Sequence, residues 1–386
     1  MKSSVERQDI ASVSYLNSLK YPTPFLLFDK AIIRANYRQF KRSLPKADVY
    51  YAVKCNSHPI VLKLLHELGS SFEIASFYEL QKLIKIGVNP EDVIYSAPVK
   101  SSNHIKKAFT AGVYRFAFDG FTELEKIAKY APGSSVYLRL MVSDASSKWP
   151  LSSKFGAVPD EAAFLMEYAV KLGLKPYGLT FHTGSQTTSE SAWEIALQVC
   201  GNVLKELNKR GIKLDLLNMG GGFPTKYNGP VPTIPDISKT ILRSISDYIP
   251  YRLELAIEPG RALIANSAVM ASTVIERNER GSKNWLFLDT SAFHGLLETM
   301  PCQGGLVYPV KTSIDTTPFT EKIDYTVTGP TCDSLDTIFH NLSLPNTMSV
   351  DDRMYIGSTG AYTLCFASVF NGFKPPKVYF IDSSSK

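Results

Sequence analysis

The sequence predicts an α/β protein that combines a (β/α)8 barrel with a mostly β domain. Between Tyr21 and about Arg261, short apolar runs rich in Val, Ile, Tyr and Phe alternate with longer segments whose apolar residues recur at helical spacing. This alternation is typical of parallel β/α architecture. From about Leu263 onward the helical spacing is lost, and apolar runs are separated by Gly, Pro and Asn, which favours a β-rich domain.

Eight strands are predicted in the first part of the chain. Eight β/α units favour a closed barrel, for which roughly 250 residues are typical. A doubly wound open sheet is the alternative, although it usually has fewer units and a crevice fingerprint after its first strand. The predicted strands are Asp48–Val53, Ser71–Ala75, Val93–Tyr95, Arg115–Phe118, Val136–Met141, Pro176–Phe181, Leu214–Met219 and Leu253–Glu258.

Segments with helical spacing lie between these strands, and β-type runs follow them. The predicted helices include Pro59–Leu68, Phe77–Ile86, Phe121–Tyr130, Glu161–Leu172 and Glu190–Arg210. The predicted strands of the second domain are Val269–Ile275, Trp285–Asp289, Leu306–Val310, Tyr325–Thr328, Arg353–Ile356 and Lys377–Ile381.

The predicted domain boundaries make the second domain discontinuous. The barrel is assigned to residues 28–262, and the β domain to residues 1–27 and 263–386. The leading segment belongs to the β domain because the apolar run Phe25–Phe28 begins there and could pair into its sheet.

Composition excludes several classes of protein. With 44% hydrophobic and 20% charged residues among 386, the chain is neither collagen-like nor largely disordered. Forty-two Lys and Arg against 36 Asp and Glu give a charge of +6, too weak to indicate a nucleic-acid or membrane surface.

Five widely spaced cysteines favour reduced thiols and no structural metal. Met1–Lys20 has no apolar core of a signal peptide, so we expect a soluble, cytoplasmic protein.

The predicted strand ends are unusually polar. In a barrel of this kind, catalytic groups lie at the carboxyl ends of the strands, so these side chains are expected to share one rim. They are Lys54, Glu73, Arg139, His182, Gly220–Gly222 and Glu258.

Lys54 is the candidate nucleophile. A lysine after an apolar run is usually a solvated strand terminus. At the mouth of a barrel it would be partly desolvated, which disfavours the ammonium form and leaves an amine able to condense with an aldehyde.

Four other features suit a phosphorylated aldehyde ring. Gly220–Gly222 could cradle a phosphate with backbone N–H groups, although a tight turn is the simpler interpretation. Arg261 could contact phosphate oxygens. Glu258 ends an apolar strand and needs a cationic partner, which a protonated pyridine nitrogen would supply. His182 could stack on a flat ring or fill the barrel mouth. Together these residues predict a pyridoxal 5'-phosphate (PLP) site.

Several motifs strengthen this prediction because they occur together and in order. The chain resembles the alanine-racemase-fold PLP decarboxylases, which act on ornithine, diaminopimelate or arginine, and is most similar to ornithine decarboxylases of bacterial size. The matching segments are Tyr51–Asn56, His182–Ser185, Gly220–Pro224, Glu258–Arg261, Gly329–Asp333, Gly360–Thr363 and Phe370–Phe373.

The resemblance implies a role for each site residue. Lys54 would bond covalently to the cofactor, His182 would stack on its face and Glu258 would pair with the pyridine nitrogen. Glu73 and Arg139 would line the pocket, with Glu79 as a supporting carboxylate or simply an exposed helical acid. The phosphate would be held by Ser185, Gly220, Gly221, Gly222, Arg261 and Tyr362.

The resemblance also implies a homodimer with shared active sites. Cys332, donated by the partner, would protonate the α-carbon, and Asp333 would meet the distal amine of the substrate. Phe370 would border the substrate cavity, although a core aromatic is almost as good an interpretation. Asp336 fits the same motif as Cys332, with helix capping as the alternative.

Substrate identity depends on fewer residues. Asp333 favours a side chain that ends in a cation, as in ornithine or lysine, whereas diaminopimelate decarboxylases typically carry Glu there. Tyr308 is a candidate substrate contact, but Tyr308-Pro309 stands where eukaryotic ornithine decarboxylases have a Tyr-Asp pair, so one acidic contact is replaced. Glu298 and Asp315 are the candidates to compensate for it.

The predicted reaction is decarboxylation of L-ornithine to putrescine, a polyamine, with lysine as a secondary substrate. The alternatives are a decarboxylase of diaminopimelate, carboxynorspermidine or a siderophore precursor, a PLP racemase, and a catalytically silent binding protein.

Overall fold

The computed structural model describes residues 12–301, 305–314, 317 and 319–385. It divides into two compact units. One, here called the barrel unit, comprises Arg34–Pro224 and Val231–Ala262. The other, here called the β unit, comprises the described residues up to Ile33, Thr225–Pro230 and the described residues from Leu263 onward.

The strands are numbered in chain order. They are β1 (Phe25–Asp29), β2 (Ala47–Ala52), β3 (Ser71–Ile74), β4 (Val93–Tyr95), β5 (Arg115–Phe118), β6 (Ser135–Arg139), β7 (Ser147–Trp149), β8 (Lys175–Thr180), β9 (Ser185–Thr187), β10 (Leu216–Asn218), β11 (Glu254–Ile257), β12 (Ala268–Arg280), β13 (Lys283–Leu288), β14 (Val310–Thr312), β15 (Lys322–Thr328), β16 (Thr337–Pro345), β17 (Arg353–Gly357) and β18 (Lys377–Ile381).

The helices are numbered in the same way. They are α1 (Val13–Ser18), α2 (Lys30–Ser43), α3 (Pro59–Glu67), α4 (Phe77–Lys85), α5 (Ser102–Thr110), α6 (Phe121–Tyr130), α7 (Ala162–Lys171), α8 (Ser191–Lys209), α9 (Ile234–Tyr248) and α10 (Arg261–Ile264). In the described part of the chain, no helix combines the length and apolarity that a bilayer crossing requires.

The barrel predicted from sequence is confirmed. Strands β2, β3, β4, β5, β6, β8, β10 and β11 form a closed parallel ring, and β11 returns to β2 with Leu255 opposite Ala47. All eight predicted strands are present within two residues of their predicted ends. The open-sheet alternative is therefore wrong.

The interior of the barrel is filled by apolar and aromatic side chains. Tyr50, Ile94, Ala117, Tyr137 and Leu216 form a buried cluster that Ala256 completes. Residues two apart on a strand face the same side, so each strand gives one set of side chains to this interior and another to the surrounding helices. The filled interior leaves the carboxyl ends of the strands as the place for a site.

Local sequence signals explain where the flanking helices begin. Ser76 caps α4, with its hydroxyl accepting a hydrogen bond from the Glu79 N–H at 3.3 Å. Pro59 occupies the first position of α3, where its missing N–H costs nothing. The predicted helices are confirmed, whereas α2, α5 and α9 were not predicted individually.

The β unit is built around one mixed sheet. Its strand order is β14-β17-β12-β13-β15-β16, and β1 pairs antiparallel with β12 and parallel with β18. The N-terminal segment thus pairs into this sheet as expected. The predicted start of the barrel at residue 28 is wrong, however, because Phe28 is still within β1, opposite Ala268 and Phe380.

Other details of the β unit differ from prediction. The predicted strand Leu306–Val310 is wrong, since β14 begins only at Val310, and the Pro309 carbonyl accepts a hydrogen bond from Gly357 at 2.8 Å. Proline has no N–H to give to a ladder, which delays the strand. Strand β16 was missed because polar residues interrupt its apolar pattern. Cys302 and Asp315 lie outside the described residues.

Candidate active site

Lys54 and Glu73 form an ion pair at the carboxyl end of the barrel. Lys54 lies in a single 3₁₀ turn, Val53–Cys55, directly after β2, and Glu73 lies on the neighbouring strand β3, opposite Ala52. The Lys54 Nζ is 2.6 Å from Glu73 Oε2. The Glu73 side chain is 2% exposed and that of Lys54 is 40% exposed.

The predicted effect on the pKa of Lys54 is wrong in sign. Burial lowers this pKa, but the negative charges of Glu73 and Glu258 and the hydrogen bond that Lys54 donates to Glu73 together raise it by more, so that the net pKa is raised. Burial is the largest single effect on this pKa, but the carboxylates act together and decide the direction. The lysine is thus held as an ammonium ion, with Glu73 placed to take its proton.

Glu258 is a buried carboxylate held by two neutral donors. It follows β11, and its N–H donates to the Gly220 carbonyl at 2.7 Å. Its Oε1 accepts hydrogen bonds from Ser96 Oγ at 2.5 Å and Asn218 Nδ2 at 2.6 Å. Burial raises the pKa of Glu258, and the charge of Glu73 adds to that effect.

Sequence reasoning missed Ser96 and Asn218. Ser96 follows β4 directly, so it was a polar residue at a strand end like the others, and Asn218 is a single polar residue within the apolar run of β10. Both signals were present in the sequence.

His182 and Arg139 lie on the same rim. The N–H of Gly184 donates to His182 Nδ1 at 3.0 Å. Burial lowers the pKa of His182 well below its usual value, and the cations Arg139 and Lys54 act in the same direction. The ring is therefore neutral and accepts at Nδ1, which leaves its proton on Nε2.

The glycine loop after β10 is tightly enclosed. A Cβ on Gly220 would overlap the carbonyl oxygen of Phe181, and one on Gly221 would lie 2.9 Å from His182 Nε2. Gly222 has φ = +106°, and its Cβ would lie 2.7 Å from the Gly184 carbonyl oxygen. Only glycine fits these positions, so the loop presents bare backbone at the rim.

Arg261 lies beside this loop. It is 4% exposed, its guanidinium lies 4.6 Å from the centre of the Trp149 ring, and Nη2 is 3.4 Å from Ser185 Oγ. Trp149 and Ser185 face each other across the β7–β9 pair. A buried guanidinium, a hydroxyl and bare backbone amides make an anion site.

Glu79 supports the carboxylate cluster from α4. Its Oε2 accepts a hydrogen bond from the Ala75 N–H at 2.6 Å. Burial and the charge of Glu73 raise its pKa to about 7. It is therefore not a freely solvated helical acid.

The β unit gathers a second set of predicted residues. Asp333 and Phe370 line an open cavity of about 420 Å³ together with Phe293, Ser368 and Val369. Cys332 is exposed, with Sγ 3.5 Å from Asn371 Oδ1, and the Cys332 N–H donates to the same oxygen at 3.2 Å. Phe370 is 40% exposed and is not a core aromatic.

Asp336 organises the loop that carries Cys332. It is completely buried, and its Oδ1 accepts hydrogen bonds from Ser291 Oγ at 2.7 Å and the Ala292 N–H at 2.9 Å. Its Oδ2 accepts from Thr331 Oγ1 at 2.7 Å and the Thr331 N–H at 3.2 Å. The helix-capping alternative is therefore wrong, because Asp336 precedes a strand and ties two loops together.

The two predicted tyrosines lie elsewhere in the β unit. Tyr308 is buried with its ring edge-to-face on Tyr227 at 5.2 Å. Tyr362 has φ = +55°, and its ring stacks on Phe366 at 5.9 Å. Glu298, the predicted compensating acid, is 5% exposed.

The residues of the barrel unit fit PLP. Lys54 offers an amine, Glu258 a buried carboxylate for a protonated ring nitrogen, and Arg261 a buried cation for a phosphate. The glycine loop is the strongest test, because neighbouring backbone and side-chain atoms fill the space that a Cβ would need. The loop therefore offers backbone N–H groups, of which that of Gly220 donates to Asn218 Oδ1 at 3.0 Å.

Comparisons with known proteins agree with this fit. A family model described as the pyridoxal binding domain of pyridoxal-dependent decarboxylases matches residues 30–265. A lysine/ornithine decarboxylase of Selenomonas ruminantium is 33% identical, over 94% of this chain and 91% of its own. The crystal structure of the arginine decarboxylase of Paramecium bursaria Chlorella virus is 30% identical with a TM-score of 0.90, over 96% of this chain and 100% of that one. Antizyme inhibitor 2 of Xenopus laevis is 32% identical, over 92% of this chain and 80% of its own. These matches confirm the resemblance noted in the motifs, and the chain belongs to the pyridoxal-dependent decarboxylase family.

Proposed function

We propose that this protein decarboxylates L-ornithine to putrescine and carbon dioxide, with L-lysine as a second substrate. The observation that carries the proposal is the cavity of the β unit, where the carboxylate of Asp333 lies among the apolar side chains of Phe293, Val369 and Phe370. A carboxylate in such surroundings favours a substrate whose apolar chain ends in an ammonium group. The name of the relative from Selenomonas ruminantium, a lysine/ornithine decarboxylase, supports the same pair of substrates.

The residues of the barrel unit are assigned to the cofactor. Lys54 would hold the aldehyde carbon of PLP through its amine nitrogen, with the aldehyde oxygen leaving as water, and Glu73 would accept the proton that the ammonium must lose first. Glu258 pairs with the ring nitrogen, while His182 covers one face and Arg139 lines the pocket. Ser185, Gly220–Gly222 and Arg261 hold the phosphate, and Tyr362, which belongs to the β unit, is assigned to the same group. When bound, PLP supplies a cationic ring that accepts the electron pair left when the bond between the α-carbon and the carboxylate breaks.

The proton that replaces carbon dioxide is assigned to Cys332. Its thiol gives a proton to the α-carbon, and Asn371 holds Sγ in place. Asp333 binds the distal ammonium group. We propose that both residues act in the active site of a second copy, so that the homodimer has two shared sites.

Pro309 broadens the substrate range in this proposal. A proline offers no side-chain charge at the position where a second acid is expected, so Asp333 alone selects for the distal cation. Ornithine and lysine differ in where they place the distal ammonium group. One charged contact discriminates between these two positions less well than two contacts do.

Steady-state turnover on ornithine, lysine, arginine, diaminopimelate and carboxynorspermidine tests the substrate. We expect the highest kcat/KM for ornithine, measurable activity on lysine, and little on diaminopimelate, whose distal carboxylate would be repelled by Asp333. Negligible release of carbon dioxide from ornithine, with turnover of another member of the panel, would overturn the ornithine assignment.

A catalytically silent binding protein is the second candidate, because one relative bears the name antizyme inhibitor 2. Against it, this chain has both the lysine and the phosphate-site residues in place. If the protein binds PLP but releases carbon dioxide from none of the five substrates, the silent alternative is correct.

A further inference from the structure

Ser96 stands behind Glu258 in a chain of hydrogen bonds that reaches into the barrel interior. Its Oγ donates to Glu258 Oε1 at 2.5 Å, and it lies 2.7 Å from the hydroxyl of Tyr137. A serine hydroxyl has one proton. Since that proton goes to the carboxylate, Tyr137 must donate to Ser96, and the order is Tyr137 to Ser96 to Glu258.

The Ser96 side chain is held in place by hydrogen bonds of the backbone on both sides of it. The Ser96 N–H donates to the Ile74 carbonyl of β3 at 3.1 Å. The next carbonyl, of Ala97, accepts from the buried ammonium group of Lys100 at 2.8 Å, and Lys100 also donates to the Ala117 carbonyl at 2.6 Å. Glu123 pairs with Lys100 at 2.8 Å and also with Lys126 at 2.5 Å, so the buried ammonium group has a carboxylate partner.

Both hydrogen bonds that the described residues make to the Glu258 carboxylate end on Oε1. Ser96 and Asn218 thereby occupy one oxygen and leave Oε2 for a partner. Neutral donors also favour the ionised form of a buried carboxylate, which burial and the neighbouring Glu73 disfavour.

We propose that Ser96 is a positioning residue that keeps Glu258 ionised and oriented toward the ring nitrogen of PLP. The proposal rests on the role given to Glu258 under the proposed function. Charged or titratable groups that act on Glu258 come from three elements: Glu73 on β3, Lys54 after β2, and Tyr137 and Arg139 on β6. Ser96 is neutral at every pH, so its removal changes the hydrogen bond without changing the count of charges.

The test is PLP binding to the cofactor-free full chain, measured by absorbance between acid and neutral pH. Ser96→Ala is expected to raise Kd at neutral pH by roughly tenfold, the size of a lost hydrogen bond to a charged group. The pH below which affinity falls is expected to move upward, because Glu258 then protonates more readily. Ser96→Thr, which keeps the hydroxyl, should stay close to wild type.

Two further variants separate positioning from stability. Ser244→Ala removes another buried serine hydroxyl, on α9, and should leave Kd and its pH profile unchanged. Tyr137→Phe keeps Ser96 but removes its donor, and should shift the profile in the same direction by less. It also tests the proposal if Ser96→Ala folds poorly.

A double-mutant cycle with Glu258→Gln tests the positioning role of Ser96 separately from the cofactor-binding role of Glu258. If Glu258→Gln weakens binding and Ser96→Ala adds little in that background, the inference holds. If Ser96→Ala has no effect on Kd or on the pH profile, or weakens binding equally in both backgrounds, the inference is wrong while Glu258 keeps its role. If Glu258→Gln itself leaves Kd unchanged, the role of Glu258 fails, and the inference fails with it.

Discussion

The Nζ of Lys54 lies 2.6 Å from Oε2 of Glu73, and this carboxylate together with Glu258 outweighs burial in setting the charge of the lysine. The amine must lose a proton before it can bond to an aldehyde. Glu73 therefore has two opposing effects: it raises the pKa of Lys54, and it provides the base beside it.

Glu73→Gln is expected to lower the pKa of Lys54, because it removes the nearest negative charge. The rate of PLP addition to the cofactor-free protein rises with pH as the amine forms, and in Glu73→Gln this rise should occur at lower pH than in wild type. Stopped-flow absorbance across pH measures it, with Glu73→Asp as the control that keeps the charge. If the rate in Glu73→Gln rises at the wild-type pH or at a higher pH, Glu73 does not raise the pKa of Lys54.

Gly222→Ala is expected to weaken PLP binding severely. Its Cβ would meet the Gly184 carbonyl at 2.7 Å, so the backbone of the glycine loop must move. Gly211→Ala is the matched control: Gly211 also has a positive φ, +77°, but its Cβ would meet nothing within 4 Å. The control should lose about 1 kcal/mol of stability and bind PLP normally. Equal PLP affinity in the two variants would argue against a phosphate cradle at Gly222.

Asp336→Asn is expected to destabilise the β unit by about 3 kcal/mol, because an amide cannot accept hydrogen bonds at both ends of the group. Thermal unfolding measures the loss. Asp333→Asn is the control. It should leave the midpoint temperature of unfolding nearly unchanged but raise KM for ornithine strongly. If Asp336→Asn unfolds at the wild-type temperature, the loop is not held as described.

Mixing Lys54→Ala with Cys332→Ala tests the shared active site. Each variant alone should be nearly inactive. Random exchange in an equal mixture gives half mixed dimers with one intact site each, so roughly a quarter of wild-type activity should return. If activity does not return although subunit exchange is shown by mass spectrometry of tagged chains, Cys332 and Lys54 belong to the same copy.

The sequence was most informative where periodicity and strand-end polarity coincide. The eight barrel strands, and the placement of Lys54, Glu73 and Glu258 on one rim, follow from alternation alone, because parallel strands bring their carboxyl ends together. The direction of the Lys54 pKa did not follow, since it depends on the distance to Glu73. Asp336 was assigned to a motif, but its four hydrogen bonds join residues up to 45 positions apart, a relationship that no local pattern contains.

The site itself was predicted less completely than the fold. Ser96 and Asn218 are visible in the sequence as isolated polar residues at strand ends. Nothing in the sequence indicates, however, that both donate to the same oxygen of Glu258. Pro309 indicated a missing acid but not a delayed strand, because its effect on β14 depends on pairing with β17.

The most direct test of the central claim is to locate the cofactor bond. The purified protein is incubated with PLP, reduced with borohydride and digested, and the modified peptide is identified by mass spectrometry. We predict a visible absorbance before reduction and a pyridoxyl group on Lys54, both lost in Lys54→Ala. A colourless protein, or a pyridoxyl group on a different lysine with Lys54 unmodified, would contradict the account.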